Sequence, residues 1–262
     1  MSFMAPIPDA SSIARPTRGC QGCRDGIGLP FAFTMAFQPI VDVAANRVWA
    51  YEALVRGTAG QSARTILDQV GTASIYGFDQ ACRVKAVELA GKLFPRDGDI
   101  RLSINFMPNA VYQPDACIRA TLNAARQADF RQDRLMFEFT ENEQMRDTGH
   151  VRNIVEAYRR RGFTTAIDDF GAGYAGLGLL AELRPDVVKM DMALIRGIDE
   201  SATKRAIVRA VVAMAYELQI DVIAEGIETT GELATLRGLG IRLCQGYLLA
   251  RPAIEALPAI CW

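Results

Sequence analysis

Short apolar runs alternate with amphipathic stretches along this chain, and nearly every run stops on a side chain able to hold a metal ion or a phosphate: Glu52, Asn105, Glu138, Asp168, Lys189 with Asp191, Glu225 and Gln245. Runs at 35–43 and 47–55, joined through Ala44-Ala45-Asn46, predict an antiparallel pair. Further strands are predicted at 101–106, 135–139, 163–167, 186–190, 220–224 and 242–244. Helical periodicity fills the intervals at 63–70, 78–93, 114–128, 148–161, 175–182, 202–218 and 229–239. Strand–helix alternation of this kind calls for parallel strands with crossover helices. The 262 residues suit an α/β barrel, which takes about 250. The expected fold is therefore α/β, a modified TIM (β/α)8-type barrel with an antiparallel strand near the N-terminus. Functional groups at the C-terminal ends of successive strands are what an active site on the top face of such a barrel requires.

Residue types and spacing narrow the chemistry. Thr164 to Ile167 read as a buried strand, and Asp168-Asp169 at its end are followed by Gly171 and Gly173. Neighbouring side chains on a regular strand point to opposite faces. Both aspartates can serve one centre only where the strand ends and the chain bends, and the glycines permit such a bend. Two adjacent carboxylates repel, and a divalent cation is the common remedy; a helix cap beside a turn aspartate is the ordinary alternative. Glu52 lies between large apolar residues, where burial demands a cation or an ion-pair partner. Ser103 with Asn105, Glu138 with Thr140, and Lys189 with Asp191 are each two apart and share a strand face. Oxygen ligands of this kind suit Mg2+ or Mn2+, and four or five converging carboxylates suit two ions. Phosphodiester hydrolysis is the chemistry that most needs such a site. Lys189 would orient or deprotonate the attacking water, or balance the cluster's charge. The single histidine, His150, lies away from every one of these motifs, which disfavours His-dependent acid–base catalysis.

Composition excludes several function classes. With 29 basic and 30 acidic residues the net charge is −1, which gives no overall pull toward duplex nucleic acid or an anionic membrane. No apolar run approaches the ~20 residues of a membrane span, so no membrane insertion is expected. Residues 1–28 lack helical or strand periodicity and are expected to form a flexible leader, with one catalytic domain over 29–262. Cys20-x-x-Cys23 falls in that leader and reads as an incidental pair, a thiol switch or, lacking a second pair, a poor zinc site. Cys82, Cys117, Cys244 and Cys261 occupy contexts typical of buried free thiols, consistent with a cytoplasmic location.

Glu52-Ala53-Leu54 followed by Arg56 resembles the signature of the EAL domain family. The resemblance extends over about 33–252. Gln38-Pro39-Ile40, Asn105, Glu138-x-Thr140-Glu141, Asp168-Asp169-Phe170-Gly171, Lys189-x-Asp191, Glu225-Gly226-x-Glu228 and Gln245-Gly246-Tyr247 fall in the family's order. It implies a modified TIM barrel that hydrolyses cyclic di-GMP to linear pGpG with two Mg2+ or Mn2+ ions. It further implies that Glu52, Asn105, Glu138 and Asp168 ligate one metal, and that Asp168 bridges to a second held with Asp169 and Glu225. Lys189 would act on the bridging water, and Arg56 would hold a substrate phosphate. Gln38, Gln245, Asn105 and Asp191 would lie around the nucleotide, while Glu141 and Glu228 would anchor loops. A homodimer is the implied assembly. Ala175-Gly176 stand where the family often carries two serines, and Asn142 where it often carries serine. That loop is similar to the version in EAL domains attached to blue-light sensing modules. The chain itself is expected to stand alone, without a sensor or a cyclase domain. A cyclic di-GMP receptor or protein-interaction module without turnover is the alternative, and the intact carboxylate set weighs against it.

Overall fold

A computed structural model describes residues 29–71, 74–107, 114–140, 148–173 and 176–262. Strands β1 (Phe33–Asp42) and β2 (Arg47–Gly57) form the expected antiparallel hairpin, turned at Asn46, whose φ of 48° is left-handed. Helices α1 (Ala63–Leu67) and α2 (Ile75–Leu93) lead to β3 (Arg101–Asn105). Then follow α3 (Pro114–Cys117), α4 (Arg119–Gln127), β4 (Leu135–Thr140), α5 (Thr148–Arg160) and β5 (Thr164–Phe170). The chain continues through α6 (Gly176–Leu183), β6 (Val187–Met190), α7 (Met192–Ile195), α8 (Ala202–Leu218), β7 (Asp221–Ala224), α9 (Thr230–Gly238), β8 (Leu243–Cys244) and β9 (Ala253–Ile254).

Strands β2 to β8 pair in parallel in sequence order, and β1 closes the circle by pairing antiparallel with both β8 and β2. This is the expected barrel with one reversed strand. Strand β9 adds to β1 at Ala36 and Phe37. The side-chain period of two divides each strand between two cores. Ile40, Ala50, Met136, Ala166, Val187, Ile223 and Leu243 form an apolar layer with Trp49. Each of these seven lies two residues from a polar side chain: Gln38, Glu52, Glu138, Asp168, Lys189, Glu225 and Gln245. The polar set is therefore the next layer up, facing the same way. The alternate positions, among them Leu102, Ile104, Phe137, Phe139 and Ile167, pack outward against α2, α4 and α5.

Local sequence sets the helix ends. Ser62 and Ser201 accept hydrogen bonds from the amides of Thr65 and Lys204, each at 3.2 Å. Thr229 and Glu232 complete a capping box at the start of α9. Helix α8 ends on Gln219 in the left-handed conformation, the usual form of a stop without glycine.

Several expectations are corrected. The single helix over 114–128 is two, interrupted at Ile118. The strand of 163–167 runs on through both aspartates to Phe170, because the bend is made inside it rather than after it. Cys117 and Cys244 are buried and Cys82 half-buried, but Cys261 is exposed near the chain end. The leader 1–28, with Cys20 and Cys23, lies outside the described residues, as do Glu141, Asn142 and Ala175.

Candidate active site

At the C-terminal mouth of the barrel Lys189 rises from β6, 1% exposed, into a ring of carboxylates. Its Nζ lies 2.7 Å from Glu225, 2.9 Å from Glu138, 3.0 Å from Asp168 and 3.4 Å from Glu52. Neighbouring strands hold each acid in place. Asn105 Nδ2 donates to Glu52 Oε1 at 3.0 Å and Gln245 Nε2 donates to Glu52 Oε2 at 2.8 Å. Ser103 Oγ donates to Glu138 Oε1, a contact that follows from its sharing a strand face with Asn105. Gln38 pairs directly across the hairpin with Glu52 and donates to the carbonyl of Ala250 at 3.3 Å.

Asp168 and Asp169 serve one centre through a β-bulge. The register between β5 and β6 shifts between Ile167 and Phe170, and Asp169 adopts φ 55°. A left-handed residue within a strand turns its side chain out of the regular alternation, and aspartate is among the few non-glycine residues that tolerate it. Ligand atoms of Glu52, Glu138 and Asp168 lie within 4.8 Å of one another, and so do those of Asp168, Asp169 and Glu225. Asp168 belongs to both groups. Its Oδ1 is buried and faces the Lys189 ammonium at 3.0 Å, whereas Gln245 Oε1 is buried with no hydrogen-bond partner. Buried acceptors left open in this way are the chemistry of a cation site.

Electrostatics follow from burial and crowding. Burial, with the charges of Glu52 and Asp168, pushes Glu138 up to about 8 against the pull of Lys189. Burial raises Glu225 as well. Asp169 rises to about 6 through burial and the neighbouring Asp168 and Asp191. Burial also acts to raise Glu52, yet Lys189 and the amides of Gln245 and Asn105 outweigh it and hold Glu52 low. Burial opposes the charge on Lys189, but the four surrounding acids overcome it and hold the ammonium charged.

The remaining sequence candidates are spread around this centre. Arg56 lies four residues beyond Glu52 on the same face of β2, half-buried, and donates to the carbonyl of Val55 at 2.7 Å. Asp191 caps α7 by accepting from Ala193 N at 2.8 Å. Glu228 pairs with Arg196. Glu141 falls outside the described residues, so the structure brings Glu52, Asn105, Glu138, Asp168, Asp169, Lys189, Glu225 and Gln245 together and leaves Arg56, Asp191 and Glu228 at the rim.

Two contributors escaped sequence reasoning. Glu232 accepts from the amides of Gly197, Glu228 and Thr229 at 2.8, 2.8 and 3.0 Å, tying the loop after Glu225 to the one after α7. The capping-box spacing Thr229-x-x-Glu232 was the signal for it. Asp79, buried on α2 in an ion pair with Arg83 at 2.8 Å, accepts from Met107 N at 3.0 Å and so holds the chain leaving Asn105. An acid and an arginine four apart on a helix carry no signal of that longer reach.

Residues 31–252 match the EAL domain as a family. Among curated relatives, the Cyclic di-GMP phosphodiesterase NbdA of Pseudomonas aeruginosa is 32% identical over 230 residues, covering 82% of this chain and 28% of NbdA. A crystal structure of a stand-alone versatile EAL protein from Vibrio cholerae O395, in its c-di-GMP-bound form, superposes with a TM-score of 0.85 at 47% identity. That match covers 89% of this chain and 97% of the other. The manganese and cyclic di-GMP complex of Klebsiella pneumoniae BlrP1 gives a TM-score of 0.82 at 38% identity, over 88% of this chain and 58% of BlrP1. The chain spans 56% or less of the length of the first curated relatives it matches.

Proposed function

The chain belongs to the EAL domain family, and from that membership we propose that it hydrolyses one phosphodiester bond of cyclic di-GMP to give linear pGpG. The observation that carries this reading is the pair of three-carboxylate groups that share Asp168 around one buried lysine. With Glu52, Glu138, Asp168, Asp169 and Glu225 ionised and Lys189 charged, the centre holds a net charge of −4, which two divalent cations would neutralise. The buried, unpartnered Oε1 of Gln245 beside Glu52 fits the same loading.

Glu52, Asn105, Glu138 and Asp168 would hold one Mg2+ or Mn2+, and Asp168, Asp169 and Glu225 the other. Bound there, the two ions would supply an activated water and offset charge on the phosphate. Lys189, kept charged by its neighbours, donates a hydrogen bond that orients the attacking water. Arg56 turns from the Val55 carbonyl to a substrate phosphate, for which its planar fork is suited. Gln38 and Gln245 line the path of the nucleotide, Asn105 and Asp191 contact it from β3 and α7, and Glu228 with Glu141 fixes the loops. One catalytic domain over 29–262, preceded by the leader 1–28, a homodimeric assembly and a cytoplasmic location complete the reading. Among the described residues no helix is long and apolar enough to cross a membrane.

The test is product formation from cyclic di-GMP by the purified chain with Mg2+, Mn2+ or EDTA, together with direct binding on the same samples. Formation of pGpG should cease with EDTA and fall at least ~100-fold in Glu52→Ala, as loss of a metal ligand or its support does. Tight binding without turnover would instead make the chain a cyclic di-GMP receptor. Neither binding nor turnover would point to a different phosphate ester.

A further inference from the structure

The opposite end of the barrel carries charge of the other sign. There β2, β3, β4, β7 and β8 begin, and a solvent-open cavity of about 340 Å³ lies among them. Five arginines line it: Arg47, Arg101, Arg131, Arg134 and Arg242. Three aspartates accompany them, Asp99, Asp133 and Asp221, and Asp42 pairs with Arg242 from behind the wall, so the arginines exceed the carboxylates around them by one. The aspartates are already taken. Arg131 pairs with Asp133 at 2.5 Å and Asp99 at 3.5 Å, and Arg242 pairs with Asp221 and with Asp42, each at 2.9 Å.

Arg47, Arg101 and Arg134 have no carboxylate within ion-pair distance among the described residues. Arg101 continues the inward-facing series of Ser103 and Asn105, and sits where the other strands place an apolar residue. Its guanidinium lies 4.6 Å over the ring of Trp49, a stacking that fixes the fork as a flat wall. Burial, and after it the nearby Arg47 and Arg242, pull Arg101 below the usual guanidinium value, against the attraction of Asp221 and Asp99. Arg134 donates to the carbonyls of Ile100 and Pro95 at 2.7 and 3.0 Å, which leaves its Nη2 buried without a partner. A second cavity of about 380 Å³ shares Trp49, Arg101 and Asp221, but there Arg159 is matched by Asp186 at 3.5 Å and the charges balance. The excess belongs to the first.

We propose that the Arg47–Arg101 cavity binds a phosphate-bearing anion, either free phosphate or the terminal phosphomonoester of a small nucleotide. Guanidinium forks match phosphate oxygens in pairs, and Arg47 and Arg101 present two forks that no carboxylate already holds. This inference does not depend on the phosphodiesterase reading, because the site lies at the other pole of the barrel.

The test is calorimetric titration of the full chain in EDTA with inorganic phosphate and with adenosine 5′-monophosphate, each against sodium chloride at equal ionic strength. The chelator removes any cation through which phosphate could reach the carboxylate centre. Saturable binding below about 1 mM is expected, with quenching or enhancement of Trp49 fluorescence in a Trp262→Phe background. Arg101→Gln should weaken it at least tenfold, and so should Arg47→Gln, which changes an exposed side chain and leaves the core untouched. Equal affinity for the two probes assigns the site to free phosphate, and tighter binding of the nucleotide assigns it to a phosphomonoester. No saturable binding, or binding that survives both substitutions, overturns the proposal.

Discussion

Lys189 is buried against four carboxylates, so the protonation of each acid depends on what else is positive nearby. Divalent cations must displace the protons that Glu138, Glu225 and Asp169 retain because burial and like charge raise their affinities. Metal binding at pH 7 should therefore release protons, and the affinity should climb between pH 6 and pH 8 by up to about tenfold per pH unit for each proton displaced. Calorimetry in buffers of different ionisation enthalpy measures the release directly; an enthalpy independent of buffer would refute it. Lys189→Met removes the one cation among the described residues that pairs with these acids. In EDTA at pH 8 it should cost about 3–5 kcal/mol in urea denaturation, the usual penalty for stripping one partner from a buried charge cluster. The cost should shrink as pH falls and the acids take up protons, and Mn2+ should recover part of it. At this scale much was legible. Placing Glu138, Asp168, Lys189, Glu225 and Gln245 at or near strand ends needs only the period of two and the position of the last apolar residue; Glu52 departs from that rule, because β2 runs on to Gly57 and holds it mid-strand. The left-handed backbone of Asp169 was not legible, because the same two letters fit a strand end followed by glycine turns.

Elements set how accurately these side chains are held. Gly246 follows Gln245, and a Cβ placed on it would meet the carbonyl oxygen of Ile227 at 2.1 Å. That contact is backbone, so it cannot yield by a side-chain rotation. Ile227 N donates to Gln245 O at 3.2 Å and Leu248 N to Ile227 O at 3.1 Å, and this close packing of two loops is what aims Gln245 at Glu52. Gly246→Ala should cost about 1–3 kcal/mol of stability through overpacking and lower metal affinity as Glu52 loses its donor. Thermal melts with and without Mn2+ check it. A variant with the stability loss but unchanged metal affinity would show that Gln245 is aimed by something else. The strand–helix alternation that gives these elements was readable from apolar spacing, as was the reversed β1 from its short Ala44-Ala45-Asn46 link. The four-residue α7 and the two-residue β9 were not, since pieces this short show no period and exist through the contacts they meet.

For the molecule as a whole, the barrel separates two demands. The lower layer around Ile40, Trp49, Met136 and Leu243 is apolar and buried, whereas the layer above it gathers like charges that oppose folding until something positive binds. Asp169→Asn tests this division. Asparagine accepts the left-handed backbone that the bulge requires, so the change removes charge and keeps shape. The folded state raises Asp169 to about 6 from an ordinary 3.8. A carboxyl raised on folding contributes its stability fully below the unfolded value, and that contribution is lost as pH rises through the folded one. Without metal, Asp169→Asn should match the native chain at pH 4 and exceed it above pH 6. With solvent screening of this half-buried group allowed for, the gain is about 1 kcal/mol. With saturating Mn2+ the order should reverse, because the native chain gains binding free energy that the variant forgoes. Trp49→Ala should behave oppositely, losing about 3–5 kcal/mol at every pH with its affinity for Mn2+ unchanged, since it opens a cavity in the apolar layer below the carboxylates and removes none of their charge. Denaturation of the three proteins across pH, with EDTA and with Mn2+, separates the cases. If Asp169→Asn is less stable than the native chain at pH 8 in EDTA, the carboxylate centre is held by contacts that outweigh its repulsion, and the division between the two ends of the barrel fails.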